Sequence, residues 1–365
     1  MKNICFFIND ITNTGGTERV SIMIANMLED TGLFRVFFLS LHEHDSDTYF
    51  HLSKTIKHAQ LFEENVHGLS SFPGICCRLR KALKANRADV IIDVDGILDL
   101  YALSAKLFDS IKVISWEHFN FHQNPTVPYR KISRRWAGIA ADAIVTLTDA
   151  DKQMYENGLK VLRCPVVSIP NPLVCEYNKS DTRGKKIILS AGRLTEQKGF
   201  DLLIQVAKEV LPKHPDWKWI ILGEGEDRAR LENLIEFDGL TGQMSLPGKV
   251  SNINDYYDEA SLYVMTSRYE GLPMVLLEAK AHGLPIVSFD CETGPSEMIL
   301  DGVNGFLVKD FNVSAMSVKV EKLISDSNLR KAFSEHALDG TQKFLPEMFY
   351  TSGLSFYLQF NSRKR

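Results

Sequence analysis

The segment from 262 to 289 constrains the fold of this chain more than any other. Its ends, Leu262 to Met265 and Ile286 to Phe289, are apolar runs of strand length. Between them Gly271 permits a tight turn, Pro273 stands where a first helical residue is favoured, and helix formers fill Met274 to His282 before a glycine. Strand, turn, helix and strand form a βαβ unit, so the segment predicts a parallel sheet in an α/β fold.

Two carboxylates flank the start of this predicted helix. Glu270 lies in the turn before it, and Glu278 lies about one and a half turns inside it. A helix N-terminus favours phosphate, whereas carboxylates accept hydrogen bonds from hydroxyls, and a nucleotide sugar offers both groups. We expect Glu278 to bind ribose, Glu270 to bind a sugar hydroxyl, and the amides at Gly271 and Leu272 to bind pyrophosphate. The alternative is a pair of ordinary surface charges.

The Glu-Gly-Leu-Pro sequence before the helix and the second Glu inside it resemble the retaining glycosyltransferases of family 4. The resemblance spans most of the chain and is densest from Ile187 to Val308. Further motifs recur there in order: Gly192 to Gly199, Gly223-Glu224-Gly225, Leu246 to Val250, Thr293 to Glu297 and Asn304 to Val308.

The resemblance implies the GT-B architecture, in which two Rossmann-like domains face each other across a cleft. We expect an acceptor-binding domain at residues 1–172 plus about 346–365, and a nucleotide-sugar-binding domain at 173–345. The residues themselves agree with two domains, because 365 residues exceed one ordinary domain and Pro170-Asn171-Pro172 precedes a polar stretch from Glu176 to Lys186.

Arg193 and Lys198 lie five residues apart on a predicted loop between a strand, Lys186 to Ala191, and a helix, Phe200 to Leu211. Cations so placed can converge on one diphosphate, although basic loop residues alone are ordinary. The resemblance implies catalytic roles for Arg193, Lys198 and Glu270. It also implies donor contacts at the residues Gly192, Gly223, Gly225, Lys249 and Val250.

The first domain offers two further candidates. Gly15-Gly16 precedes an amphipathic run; this is no G-x-G-x-x-G fingerprint, and taken alone it indicates a tight turn. In the family this position contacts donor phosphate or acceptor. His118 follows the strand Lys112 to Ser115, where α/β ligands bind. A lone His is more often structural, but the resemblance places this one beside the donor sugar, with His122 a weaker candidate.

Asp93-Val94-Asp95 looks like the D-x-D motif that holds a divalent ion in another glycosyltransferase class. The other motifs belong to a metal-independent architecture, so we expect a structural role for this tripeptide. We therefore predict neither a metal ion nor a cofactor.

Composition and charge narrow the classes of protein to which the chain could belong. A net charge of −4 gives no indication of nucleic-acid binding, and the six Cys form no C-x-x-C pair. No apolar run approaches the roughly 18 residues of a membrane-spanning helix, and we expect a cytoplasmic protein. Two basic groups, the helix residues Arg80, Lys84 and Arg87 and the cluster from Arg130 to Arg135, are either solvated or contact anionic lipid at the inner face of the plasma membrane.

The expected reaction is retaining transfer of a sugar from a nucleotide-sugar donor, with UDP the commonest carrier, to a saccharide acceptor. The resemblance favours an acceptor linked to polyprenyl diphosphate, in bacterial surface polysaccharide assembly. Two alternatives share the architecture: a nucleotide-sugar epimerase or hydrolase, and a non-catalytic nucleotide-sugar binding module.

Overall fold

The structure, a computed structural model, describes residues 1–66, 71–107, 110–123, 129–173 and 185–359. The chain divides into two compact units, Met1–Asn171 with Phe349–Arg365, and Pro172–Met348. Most of the polar stretch that marked the predicted domain boundary lies outside the described residues, as does the basic C-terminus from 363 to 365.

The strands, in chain order, are β1 (Lys2–Ile8), β2 (Phe34–Ser40), β3 (Lys57–Gln60), β4 (Val90–Val94), β5 (Lys112–Trp116), β6 (Ala143–Thr146), β7 (Val166–Ser168), β8 (Ile187–Ala191), β9 (Lys218–Leu222), β10 (Met244–Gly248), β11 (Leu262–Met265), β12 (Ile286–Phe289) and β13 (Gly305–Val308). The α-helices are α1 (Gly16–Asp30), α2 (Phe72–Ala85), α3 (Asp99–Lys106), α4 (Arg130–Ala140), α5 (Asp149–Gly158), α6 (Phe200–Val210), α7 (Arg228–Phe237), α8 (Ile253–Glu259), α9 (Met274–Ala281), α10 (Pro295–Met298), α11 (Val313–Ser325), α12 (Ser327–Glu335), α13 (Pro346–Met348) and α14 (Leu354–Gln359).

The first unit contains a parallel sheet in the order β3-β2-β1-β4-β5-β6-β7. Its central strands are buried on both faces, which explains why β1 and β4 are almost continuously apolar. At the C-terminal end of the chain, Lys2 Nζ donates to the carbonyl of Leu358 at 2.8 Å, so α14 is tied to the start of β1. β3 was not predicted, because it is an exposed edge strand without an apolar face.

The second unit contains a parallel sheet in the order β10-β9-β8-β11-β12-β13. Both sheets run outwards in two directions from their first strand, as doubly wound α/β sheets do. The prediction of two Rossmann-like parallel-sheet domains is confirmed. In the second unit the order reverses between β8 and β11, and ligands bind at such a switch point, outside the carboxyl ends of the strands.

Candidate active site

The switch point of the second unit brings the two predicted loops together. β8 pairs with β11 in register, Ile188 beside Leu262, so both strands end at the same edge of the sheet. The two loops are then joined by hydrogen bonds: the amide of Arg268 donates to the carbonyl of Gln197 at 2.8 Å, and Gln197 Nε2 donates to the carbonyl of Tyr269 at 3.1 Å. Residues about seventy positions apart in sequence therefore form one continuous surface.

Lys198 and Glu270 form an ion pair on that surface. Lys198 Nζ lies 2.7 Å from Glu270 Oε1, and the two side chains are 20% and 6% exposed. Sequence reasoning assigned them to different parts of a donor, diphosphate and sugar. The structure brings the cation and the carboxylate into contact, so a ligand held by one of them is adjacent to the other.

Arg193 differs from Lys198 in its surroundings. It is exposed and forms no salt bridge to any residue that the structure describes. The neighbouring Arg268 is no substitute, since its guanidinium makes a two-pronged contact with Asp201 at 2.7 and 2.8 Å. Arg193 is therefore the cation of this loop whose charge is left for a ligand.

Helix α9 starts immediately after Glu270. It begins at Met274, and Pro273 is its N-cap rather than its first helical residue, a correction of one position. The N-cap residue Pro273 makes no side-chain capping hydrogen bond. Behind it, a Cβ on Gly294, whose φ is +100°, would lie 2.4 Å from Pro273 Cδ, and the Thr293 hydroxyl donates to the carbonyl of Glu270. The Thr-Gly-Pro loop thus braces the start of α9.

Glu278 lies inside α9, with 6% of its surface exposed. Its Oε2 accepts a hydrogen bond of 2.9 Å from the hydroxyl of the buried Tyr257 on α8. Sequence reasoning missed this tyrosine, because no motif marks it. His282, four residues after Glu278, stacks on the Tyr257 ring, and this contact is visible only in the structure.

The predicted donor-binding glycines have a packing explanation. A Cβ on Gly223 would lie 1.9 Å from the carbonyl oxygen of Gly192, and one on Gly225 would lie 2.3 Å from that of Leu194. These glycines let the loops after β8 and β9 touch through their backbones. Lys249 and Val250 follow the end of β10, at the same edge of the sheet.

His118 lies two residues beyond β5 in the first unit. Its ring packs on Trp116 at 4.4 Å between centroids, and its Nε2 has no hydrogen-bond partner in the part of the chain that the structure describes. Burial lowers the pKa of His118 to about 4, although the nearby charge of Glu117 opposes this shift. The imidazole is therefore neutral at pH 7.

Glu117, the residue before His118, belongs to a group of buried carboxyl groups. Asp93, Asp99 and Glu117 are all 1% exposed or less. Burial raises the pKa of Asp99 to about 8 and raises that of Asp93 well above its usual range. Neither carboxyl oxygen of Asp93 has a hydrogen-bond partner among the described residues, and the nearby negative charges of Asp99 and Glu117 raise its pKa further.

The Asp93-Val94-Asp95 tripeptide does not present its two carboxylates together. Asp95 has a φ of +82° and pairs with Arg130 on α4, whereas Asp93 faces Asp99. Within the described ranges, no group of three or more His, Cys, Asp or Glu side chains is arranged to hold a metal ion.

Part of the predicted basic cluster is buried. Arg130 and Arg134 are each 2% exposed and pair with Asp95 and Glu117. The expectation that the cluster from 130 to 135 is either solvated or bound to lipid is therefore wrong for these two, because the two guanidinium groups are buried and paired with the carboxylates of Asp95 and Glu117. Lys131 and Arg135 remain exposed at the surface of α4.

Gly15 is the N-cap of α1, and a Cβ on Gly16 would meet nothing within 4 Å. Packing against the described residues therefore does not require a glycine at position 16. As for membrane insertion, a search of the described helices finds none with the length and apolar character needed to span a bilayer.

Comparison with known proteins identifies the family. Residues 163–339 match the model described as Glycosyl transferases group 1, and residues 14–177 match Glycosyltransferase Family 4. A Haemophilus influenzae protein named as an uncharacterized glycosyltransferase is 33% identical, with 92% of this chain and 94% of that protein covered. The chain belongs to the glycosyl transferases group 1 family.

This glycosyltransferase has further full-length relatives. The amylovoran biosynthesis glycosyltransferase AmsD of Erwinia amylovora is 30% identical, with 95% of this chain and 97% of that protein covered. A Campylobacter jejuni enzyme, named as an alpha-1,4-N-acetyl-D-galactosaminyltransferase acting on a diNAcBac-PP-undecaprenol glycan, is 27% identical over 94% and 95% of the two chains.

Solved structures agree on the fold. Staphylococcus aureus TarM, determined as a mutant in complex with Fondaparinux, alpha-GlcNAc-glycerol and UDP, superposes with a TM-score of 0.84 at 16% identity, covering 99% of this chain and all of that one. The glycosyltransferase therefore has the GT-B type of architecture that the sequence predicted.

Proposed function

We propose that this glycosyltransferase moves a sugar from a nucleotide-sugar donor, UDP-linked, to a lipid-linked saccharide with retention of anomeric configuration. The observation that carries the proposal is the contact between Lys198 and Glu270 at the switch point, directly before the start of α9. This arrangement combines cationic and carboxylate groups, and a nucleotide sugar carries the phosphates and hydroxyls that such groups bind.

The leaving group determines the role of the cations. As the bond to the anomeric carbon breaks, negative charge grows on the diphosphate, and groups already fixed in place stabilise it. Arg193 supplies an exposed guanidinium, Lys198 an ammonium group held by Glu270, and the backbone at Gly271 and Leu272 supplies amides at the α9 N-terminus. No metal ion enters this scheme.

The carboxylates orient the donor. Glu278, at 6% exposure, would accept hydrogen bonds from ribose, and Glu270 from a hydroxyl of the transferred sugar. A buried carboxylate that already has a donor at one oxygen is held in a fixed orientation, and this favours a defined hydroxyl pattern.

His118 would act on the sugar as a neutral hydrogen-bonding group. With a pKa of about 4 it carries no charge near neutral pH, so it would orient a hydroxyl without adding positive charge to the site. We assign no side chain as a nucleophile; attack from the same face, assisted by the departing phosphate, accounts for retention.

The acceptor is proposed from the relatives' names. The Campylobacter enzyme's name specifies an undecaprenyl-diphosphate-linked glycan, and the Erwinia name specifies polysaccharide biosynthesis. A lipid-linked acceptor brings the enzyme to a membrane surface. Helix α4 presents exposed Lys131 and Arg135 together with exposed Ile132 and Ile139, a mixture that suits peripheral contact with anionic lipid.

The test is a donor and acceptor screen. Thermal shift with a panel of nucleotide sugars identifies the donor, and product analysis by NMR on polyprenyl-diphosphate-linked saccharides gives the anomeric configuration. We expect an acceptor-dependent product with the donor's configuration. An inverted product, or consumption of donor at the same rate without acceptor, would contradict the proposal and favour an inverting enzyme or a hydrolase or epimerase.

A further inference from the structure

A buried tyrosine, Tyr257, contacts the carboxylate of Glu278. Tyr257, on α8, is 0% exposed and its hydroxyl lies 2.9 Å from Glu278 Oε2. The same hydroxyl lies 3.4 Å from the carbonyl oxygen of Val275, one turn earlier in α9. A phenol can donate only one proton, and a carboxylate is the stronger acceptor, so the hydrogen bond belongs to Glu278.

The Tyr257 ring is itself held in place. His282, 4% exposed, stacks on it at 5.1 Å between centroids with an interplanar angle of 19°. Nδ1 of His282 lies 2.7 Å from Oδ1 of Asp258, the residue that follows Tyr257 in α8. Because a carboxylate only accepts, Nδ1 carries the proton, and this fixes the tautomer and orientation of the ring.

These contacts form a closed loop between α8 and α9. Asp258 holds His282, His282 covers Tyr257, and Tyr257 donates to Glu278, which lies one turn before His282 in the same helix. Tyr257 and Asp258 are consecutive in α8, Glu278 lies in α9 and His282 is the C-cap of α9, so these contacts join the two helices.

We propose that Tyr257 is the positioning residue of Glu278, and that the His282–Asp258 pair holds Tyr257 for that purpose. The inference rests on the proposed function, in which Glu278 binds ribose. A carboxylate can rotate about its last side-chain bond, and a donor fixed at one oxygen removes that freedom. The enzyme would then discriminate a ribose from a deoxyribose donor through Tyr257, a residue that does not touch the nucleotide.

The test compares each nucleoside diphosphate with its 2′-deoxy form. Among UDP, GDP and ADP, the one that the wild type binds most tightly is titrated by calorimetry beside its 2′-deoxy analogue. We expect the wild type to prefer the ribose form by roughly tenfold or more, the effect of a hydrogen bond to a charged group. Tyr257→Phe should reduce this preference by roughly threefold or more, because it should lower affinity for the ribose form more than affinity for the deoxy form.

Tyr263→Phe is the matched control. Tyr263 is equally buried and its ring lies 6.0 Å from that of Tyr257, but its hydroxyl bonds to the backbone of Ala191 at 3.0 and 3.1 Å. Removing the Tyr263 hydroxyl should change affinity for the ribose and deoxy forms by the same factor, so the preference for ribose should stay as in the wild type. A purely structural role for Tyr257 would give the same result as this control and would overturn the inference.

Two more variants distinguish a failure of the ribose role of Glu278 from a failure of the positioning role of Tyr257. Glu278→Ala should abolish the preference; if it does not, the ribose role of Glu278 fails, and with it that part of the proposed function. If Glu278→Ala abolishes the preference and Tyr257→Phe keeps it, only the positioning role fails. Should Tyr257→Phe melt below the assay temperature, Asp258→Ala releases His282 from the partly exposed side. It should reduce the preference by a smaller factor, and an unchanged preference would count against the proposal.

Discussion

Breaking the pair of Lys198 and Glu270 should affect both stability and turnover. Glu270 is 6% exposed and Lys198 20%, with 2.7 Å between Nζ and Oε1. Removing one partner of a fully buried pair costs about 3–5 kcal/mol, because the remaining charge is stranded. Since Lys198 is partly solvated, we expect a smaller loss, about 1–3 kcal/mol of unfolding free energy, for Lys198→Met or Glu270→Gln.

The double variant measures the pair itself. If the contact forms as described, the losses of unfolding free energy in the two single variants should add up to more than the loss in the double variant. The difference, the coupling energy, should be about 1–2 kcal/mol in urea unfolding. The pair of Lys208 and Asp238 is the control, because it has the same 2.7 Å distance but Lys208 is 58% exposed. Its coupling should stay below about 1 kcal/mol.

Turnover gives a second, independent reading of Lys198. A charge-assisted bond formed mainly in the transition state contributes about 1.5–3 kcal/mol, so Lys198→Met should lower kcat by roughly one to two orders of magnitude. Arg193→Ala should lower kcat by a similar factor without destabilising the fold, since Arg193 is exposed. Additive single and double losses would refute the ion pair, and an unchanged kcat would refute the role of the cations.

His118→Ala should cut turnover strongly and leave nucleoside diphosphate affinity nearly intact. Because the pKa of His118 is about 4, kcat/KM of the wild type should show no ionisation of this ring between pH 6 and 8. The pKa of Asp99 is raised to about 8 from 3.8, so the protonated side chain contributes stability below about pH 4, and this contribution is lost as the pH rises through 8. Asp99→Asn should therefore flatten the dependence of unfolding free energy on pH between about 4 and 8. Exhaustive EDTA treatment should leave turnover unchanged, and activity that disappears and returns with magnesium or manganese would bring Asp93 and Asp95 into the site. Vesicle co-sedimentation should require anionic lipid, fall as salt rises and weaken when Lys131 and Arg135 are replaced; equal binding to neutral vesicles would contradict this.

Much of the second unit was predictable from sequence. β11 and β12 have the bounds that their apolar runs predicted, and α6 and α9 begin or end within a residue or two of expectation. The reason is that period, turn residues and helix caps are local properties of the chain. In the first unit, Thr148 caps α5 by accepting a hydrogen bond from the amide of Asp151, as threonine commonly does at a helix start.

The errors also have physical causes. Edge strand β3 has no buried face, so no apolar pattern marks it. Arg130 and Arg134 were assigned to a surface cluster because a helix rich in arginine is usually solvated, whereas here both side chains are buried and pair with the carboxylates of Asp95 and Glu117. Nothing within α4 itself reveals that Asp95 and Glu117 are close.

The sequence by itself determined that two parallel sheets form, that glycine-rich and charged loops follow their strands, and that Glu278 lies on a helix. Only the tertiary structure decided that Lys198 contacts Glu270 across 72 residues of sequence, and that Tyr257 donates to Glu278 across 21. These contacts depend on which strands are neighbours, and in particular on the pairing of β8 with β11. Strand order follows from the free energy of packing the whole unit, which no local pattern encodes.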